Sequence, residues 1–258
     1  MNEVISLINN RMSLRKYSNK NISEEELQLI LDSSMRTPTA GNMMLYSILV
    51  IRDSETKRKL AKTCDNQPFI EKSNVILIFL GDLQRLYNYY NICNVKEFCN
   101  KNSLEFRMPD EGDFMLSMQD AVIAAQTGTI AAKSLGIGSC YIGDIIEHYE
   151  IHKELFNLPK LVYPACMLCL GHYEDDHKRI LSDRFKKEYI VFNEKYKLLN
   201  KKELEDMYKE REEKVSPKNI YGAENFGQFN YRRKTGAEFS KEMGRSAREI
   251  LKNWNGQE

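Results

Sequence analysis

Apolar positions recur at helical spacing from the first residues of the chain. Val4, Leu7 and Ile8 share one face of a predicted short helix over residues 3–10. Ser23–Glu26 (SEEE) has the form of a capping box, with serine at the N-cap and a glutamate three residues on. It predicts a helix to about Met35, with Leu27, Ile30 and Leu31 facing inward. Pro38 and Gly41 stop any helix, so Thr37–Asn42 (TPTAGN) reads as a turn. Tyr46–Ile51 is a run of aliphatic and β-branched residues and predicts a strand. Asp53 or Ser54 caps a helix to about Thr63. Asn74–Gly81 is nearly all apolar, as expected of a strand covered on both faces.

The pattern continues with a helical but Asn- and Tyr-rich segment, Leu83–Phe106. Its aromatic residues suit a lid over an aromatic substrate or ordinary packing. Phe114–Leu135 is the most apolar long helix. Its alanines 121, 124, 125, 131 and 132 let neighbours approach closely, which marks it as the central helix. Gly136–Ser139 (GIGS) breaks it, Cys140–Ile142 is a short strand, and Asp144 caps a helix over about 145–155. Leu161–Leu170 is a further strand. The chain then turns polar. Lys201–Lys214 is a charged helix with little to bury, and a last helix spans about 235–254. Residues 1–196 therefore read as one domain and 197–258 as a helical arm that needs something to pack on, with a partner subunit the natural object.

Composition narrows the function classes. The 258 residues are 42% hydrophobic and 29% charged, with a net charge of +1. No strong field draws such a chain to nucleic acid or a membrane surface. No apolar run approaches the roughly 20 residues needed to span a bilayer. The first residues lack the basic start and cleavage site of a secretory signal, so a cytoplasmic location is expected. The six cysteines lack a dense secreted framework and read as reduced thiols. Cys166 and Cys169 form a C-x-x-C inside an apolar strand, whereas a redox pair opens a helix. His148 and His152 have the spacing of a helical metal pair, but Glu147 and Glu150 make that face look solvated, and no metal is expected.

Five stretches carry candidate chemistry. Arg11–Tyr17 (RMSLRKY) offers two guanidinium groups and a hydroxyl, a set that grips one phosphate and leaves a guanidinium for a second polar group. Pro38–Asn42 (PTAGN) has small residues that admit a flat ligand, with Thr39 and Asn42 as hydrogen-bonding groups. Gln67, in Asn66–Glu71 (NQPFIE), presents an amide able to match the polar edge of a heterocycle. Tyr141–Asp144 (YIGD) ends a strand before a helix, a common cofactor position. Ser182 and Arg184, in Leu181–Phe185 (LSDRF), can complete a phosphate site. The glycines at 136 and 138 follow a helix and lack the third glycine of a dinucleotide fingerprint, which excludes a Rossmann fold.

Taken in order over residues 1 to about 196, these motifs resemble the FMN-dependent nitroreductase family, within it the larger oxygen-insensitive nitroreductases and NADPH–flavin reductases. The resemblance implies an α+β fold, a mostly antiparallel central sheet flanked by helices, in an intertwined homodimer. It implies FMN as cofactor and NADPH or NADH as donor, with nitroaromatics, quinones or free flavin as small-molecule acceptors in a ping-pong reaction. By position, Arg11, Ser13, Ser182 and Arg184 hold the phosphate and Met12 contacts through its backbone. Arg15 lies at the flavin N1/C2 edge and Gln67 at its pyrimidine edge. Pro38, Thr39, Ala40 and Asn42 come from the other subunit, and Tyr141, Ile142 and Gly143 border the ring. Hydride passes through flavin N5, so no catalytic side chain is required. The chain departs from the family at Asp183, which lies in a Lys-Pro-Arg position, and at Asp144, where relatives often have glycine. Arg232–Lys234 (RRK) has no secure alignment with the arginines that select NADPH, so the donor stays open. Two other readings stay open as well: a flavin-binding or sensing protein without efficient turnover, and a specialised flavin reductase or dehalogenase for one metabolite.

Overall fold

A computed structural model describes residues 2–178 and 180–255. The chain divides into two compact units, one of residues up to 180 together with 242 onward, the other of residues 181–241. The boundary expected between residues 196 and 197 falls inside the second unit.

The first unit begins with α1 (Glu3–Asn9) and α2 (Glu24–Met35), the latter held by the reciprocal Ser23–Glu26 capping box. Then come β1 (Tyr46–Ile51), α3 (Ser54–Thr63) with Asp53 as its cap, and β2 (Val75–Asp82). α4 (Gln84–Ile92) and α5 (Val95–Lys101) are separated at Asn94, whose φ of 51° interrupts the helical run. Tyr87, in α4, is buried against Tyr90 and Phe106, so this part of the aromatic segment packs into the core. The long helix α6 (Glu111–Ser134) leads to β3 (Ile137–Ile142), α7 (Tyr149–Leu155) and β4 (Val162–His172). The second unit contains α8 (Lys201–Glu212) and α9 (Phe226–Asn230). The last helix is α10 (Glu238–Asn255), and its residues from 242 belong to the first unit.

The sheet is antiparallel throughout its four strands, in the order β1-β2-β4-β3. β2 and β4 are buried along their whole length, which explains their unbroken apolar sequences. Alternate residues of β2 enter two layers. Val75, Leu77 and Phe79 meet α2 and α6, while Ile76, Ile78 and Leu80 meet α3 and Ile145. Each such side chain contributes roughly 1.5–3 kcal/mol relative to exposure. The alanines of α6 at 121, 124, 125 and 132 are wholly buried, and they let this helix lie close to the sheet. Trp254 of α10 closes the same layer, and its indole N–H donates to the Asp110 carbonyl at 3.0 Å.

Two elements differ from the sequence pattern. β3 starts at Ile137 rather than Cys140, because Gly138 pairs directly with Gly171 of β4. The helix expected from Asp144 is instead a single 3-10 turn, Asp144–Ile146, followed by a break at His148 (φ 49°) and then α7. Asp144 does not cap a helix, since its carboxylate is engaged by Gln67.

Gly138 and Gly171 have a steric role. A Cβ on Gly138 would lie 2.3 Å from Leu14 Cδ2, and one on Gly171 would lie 2.5 Å from Tyr17 Cδ1. The Arg11–Tyr17 stretch therefore rests on the sheet only because these strand positions lack side chains. Gly138→Ala is expected to lower stability by about 1–3 kcal/mol and to lift this stretch, read by urea unfolding and by amide exchange at Leu14.

Candidate functional site

The segment after α1 lies beside β3. Leu14 N–H donates to the Ser139 carbonyl at 2.9 Å, and Ser13 forms an isolated parallel bridge with Ser139. Ser18 N–H donates to the His172 carbonyl at 3.0 Å. With both ends fixed and Leu14 fully buried, Arg11, Ser13 and Arg15 are held near one another. All three act on the Cys140 thiol. Burial pushes that thiol up, and Arg15, the Ser13 side chain and Arg11 pull it back.

Arg11 is half-buried, and its Nη1 has no hydrogen-bond partner. An unpartnered buried guanidinium nitrogen is costly and fits an anion that completes it. The guanidinium of Arg15 lies 5.8 Å from the centre of the Phe69 ring, which places it beside the Gln67–Phe69 loop.

Gln67 lies on that loop. Its Nε2 donates to the Cys64 carbonyl at 3.0 Å and to Asp144 Oδ2 at 2.7 Å. The second bond joins the Gln67 loop to the Tyr141–Asp144 stretch. Tyr141 is half-buried, its hydroxyl donates to Gln126 Oε1 at 3.4 Å, and burial pushes it up to about 12. Ile142 is buried and Gly143 exposed, with open space where a Cβ would stand. The structure thus brings Arg11, Met12, Ser13, Arg15, Gln67 and residues 141–143 to the region of β3.

The turn Pro38–Asn42 is anchored elsewhere. Ala40 N–H donates to Asp120 Oδ1 at 2.9 Å and Leu45 N–H to Oδ2 of the same residue at 3.1 Å. Arg85 holds the other polarity, donating to the Met44 carbonyl at 2.6 Å and the Tyr46 carbonyl at 3.2 Å. Thr39 Oγ1 accepts from Met44 N–H at 3.2 Å. Between these clamps Gly41, Asn42 and Met44 have positive φ (54°, 56° and 51°), a conformation that costs roughly 1–2 kcal/mol for a residue with a Cβ. Among the described residues, no hydrogen bond joins this turn to Arg11, Arg15 or Gln67. Asp120 and Arg85 were absent from the sequence-based candidates. The one available signal was an acidic residue within the small-residue run of α6.

Ser182 and Arg184 belong to the second unit. There Arg184 donates to the carbonyls of Ser182 and Asp183, and Asp183 pairs with Lys214. The charge that Asp183 introduces is therefore met by a neighbouring lysine.

The other sequence signals resolve into structure. Cys166 and Cys169 are buried in β4, where burial raises both thiols, Cys166 to about 12. Such thiols are inert at neutral pH. His152 is bonded at both ring nitrogens, Nδ1 to the Ile145 carbonyl and Nε2 to Thr63 Oγ1, and burial lowers it to about 4. It has no nitrogen left for a metal.

Glu147 is buried with an unpartnered Oε1, and burial together with Asp144, Asp65 and Glu242 pushes it up to about 8. Its proton is held more tightly in the folded than in the unfolded chain. The stability it contributes is complete below about pH 4.5 and is lost as pH rises through about 8. Glu147→Gln is expected to flatten that decline, which reaches at most about 1.4 kcal/mol per pH unit. Denaturant unfolding across the range measures the slope.

The nitroreductase family model matches residues 8–172, more than half of the chain. The chain belongs to the nitroreductase family. It is 33% identical over 172 residues to an FMN reductase (NADPH) of Bacillus subtilis, spanning 67% of this chain and 66% of that protein. It is 29% identical over 216 residues to a B. subtilis FMN reductase [NAD(P)H], spanning 84% of this chain and 82% of that one. The solved structure of B. megaterium NfrA2 superposes with a TM-score of 0.78 at 27% identity, covering 98% of both chains. The matched family region contains the Arg11–Arg15 stretch, the Pro38–Asn42 turn, Gln67 and Tyr141–Gly143.

Proposed function

We propose that this nitroreductase-family chain is an FMN-dependent oxidoreductase that takes reducing equivalents from NADPH or NADH and passes them to small-molecule acceptors: nitroaromatics, quinones or free flavin. The observation that carries the proposal is the buried, unpartnered Nη1 of Arg11, on the same stretch as Ser13 and as Arg15, whose guanidinium lies over Phe69 in the loop that Gln67 ties to Asp144. The donor set fits the group. A guanidinium and a hydroxyl suit a phosphate, and an amide with an open oxygen suits a pyrimidine edge.

In this reading Arg11, Ser13 and the Met12 backbone hold the phosphate. Ser182 and Arg184 are assigned the same role on the resemblance. Arg15 sits at the N1/C2 edge, where its fixed charge favours the reduced state and raises the potential. Gln67 reads the pyrimidine edge, and Tyr141, Ile142 and Gly143 border the ring. Bound FMN supplies hydride acceptance and donation at N5. The protein's part is binding, orientation and charge, so no side chain need act as acid or nucleophile.

Pro38, Thr39, Ala40 and Asn42 are assigned to the site of a partner subunit. Two observations support a homodimer. The turn is clamped by Asp120 and Arg85, yet among the described residues it makes no hydrogen bond to Arg11, Arg15 or Gln67. Large apolar side chains are also exposed on α1 and α6, among them Val4 (57% exposed) and Met115 (60%). Among the described residues no helix is long and apolar enough to cross a membrane, and a cytoplasmic location is proposed with the pyridine-nucleotide donor.

Donor and acceptor are proposed to use one face in turn, a ping-pong scheme. Anaerobic NADPH or NADH, added without acceptor, is expected to bleach the flavin bands, and a quinone or nitroaromatic added afterwards should restore them. Parallel double-reciprocal lines are expected at steady state. Flavin that binds but is not bleached by either nucleotide would replace this reading with that of a flavin-binding protein.

A further inference from the structure

We propose that Asp144 is a positioning residue that fixes which end of the Gln67 amide faces a bound flavin, so that the site reads a ring N–H. This rests on the proposal that FMN binds at Gln67. The Gln67 amide has two protons, both on Nε2, and both are spent: one on the Cys64 carbonyl, the other on Asp144 Oδ2. Turning the amide over would set Oε1 against a carbonyl and a carboxylate. Its polarity is therefore dictated by its partners rather than free.

Without Asp144 the Cys64 carbonyl would hold one proton and leave the other available to a ligand acceptor. With Asp144 in place, Gln67 acts toward a ligand only as an acceptor at Oε1. Among the described residues no hydrogen bond reaches that oxygen. The pyrimidine edge of a flavin carries one N–H, at N3, between two carbonyl oxygens. Oε1 suits N3–H and is repelled by either carbonyl, so the locked amide sets the register of the ring as well as its identity. Donation to a carboxylate also polarises the amide and strengthens Oε1 as an acceptor.

Asp144 is suited to the task because its backbone is fixed. It starts the 3-10 turn, and its carbonyl accepts from Glu147 N–H at 3.0 Å. The residue comes from a loop 77 positions away in sequence from Gln67. The bond thus ties together two loops assigned to the same ring.

The test compares equilibrium binding of FMN and 3-methyl-FMN, in which the N3 proton is replaced by a methyl group, to the apoprotein by flavin fluorescence. The unsubstituted chain is expected to prefer FMN by about tenfold or more, the cost of one lost hydrogen bond at a part-buried acceptor. Gln67→Ala should abolish most of the preference. Asp144→Ala should reduce it to less than about threefold, since the released Nε2 proton can then meet a flavin carbonyl. Asp144→Asn retains a side-chain oxygen for the Nε2 proton and should keep the preference. Simple steric rejection of the methyl group would persist in Asp144→Ala, and that result overturns the inference. So does equal loss in Asp144→Asn and Asp144→Ala. A chain that binds neither flavin refutes the proposed function itself, whereas one that binds both equally refutes only the role of Asp144.

Discussion

Arg11→Ala protein is expected to bind FMN about 10- to 100-fold more weakly while its apoprotein remains as resistant to urea as before. A hydrogen bond from a charged group contributes roughly 1.5–3 kcal/mol, and each 1.4 kcal/mol is about tenfold in affinity. The stability half of the expectation follows from Nη1, which is buried and unpartnered in the chain alone. Removing it relieves a desolvation cost and offsets the packing lost with the side chain's stem. A residue that merely braces the fold would lower affinity and stability together. Fluorescence titration with FMN and urea unfolding of the apoprotein separate the two. Unchanged affinity, or loss of affinity matched by loss of stability, would remove Arg11 from the phosphate site.

Asp120→Ala is expected to destabilise the protein by roughly 2–5 kcal/mol, because it strands two backbone donors in a part-buried environment. The Ala40 and Leu45 N–H groups both depend on this carboxylate. Between them lie three residues in the left-handed region, held there by the clamp. Asp120→Asn keeps the shape but turns one acceptor into a donor that faces an N–H, so it should recover only part of the loss. Urea unfolding gives the magnitude, and hydrogen exchange at Ala40 and Leu45 locates it. A change under about 1 kcal/mol would show that the turn holds its conformation without α6.

The elements that sequence made legible are those whose cause is local or periodic. The Ser23–Glu26 capping box forms as read, and β2 and β4 are buried on both faces as their apolar runs imply. The sequence pattern predicts β3 only from Cys140 because Gly136–Ser139 reads as a breaker. In the structure Gly138 belongs in the strand, since its missing side chain leaves room for Leu14. That reason lies more than a hundred residues upstream and leaves no local trace. Asp144 read as a helix cap for a similar reason: a carboxylate before an apolar run has that meaning unless a distant amide claims it, and Gln67 does.

The candidate site was legible as motifs but not as an arrangement. Arg11, Ser13 and Arg15 stood out by charge and spacing, yet the missing partner of Arg11 is a fact of three dimensions. Asp120 and Arg85 carry no sequence signal of their role, because a single charge on a helix ordinarily faces water. Here each meets the backbone of the 40–46 turn, with opposite polarity.

The most direct measurement is an equilibrium titration of the apoprotein with FMN, followed by absorption and fluorescence, on the unsubstituted chain and Arg11→Ala. Saturation at one FMN per chain, with affinity falling in the variant, is the expected result. A chain that shows no saturable uptake of FMN, or whose uptake is indifferent to Arg11, would contradict the assignment of this cluster as a flavin phosphate site.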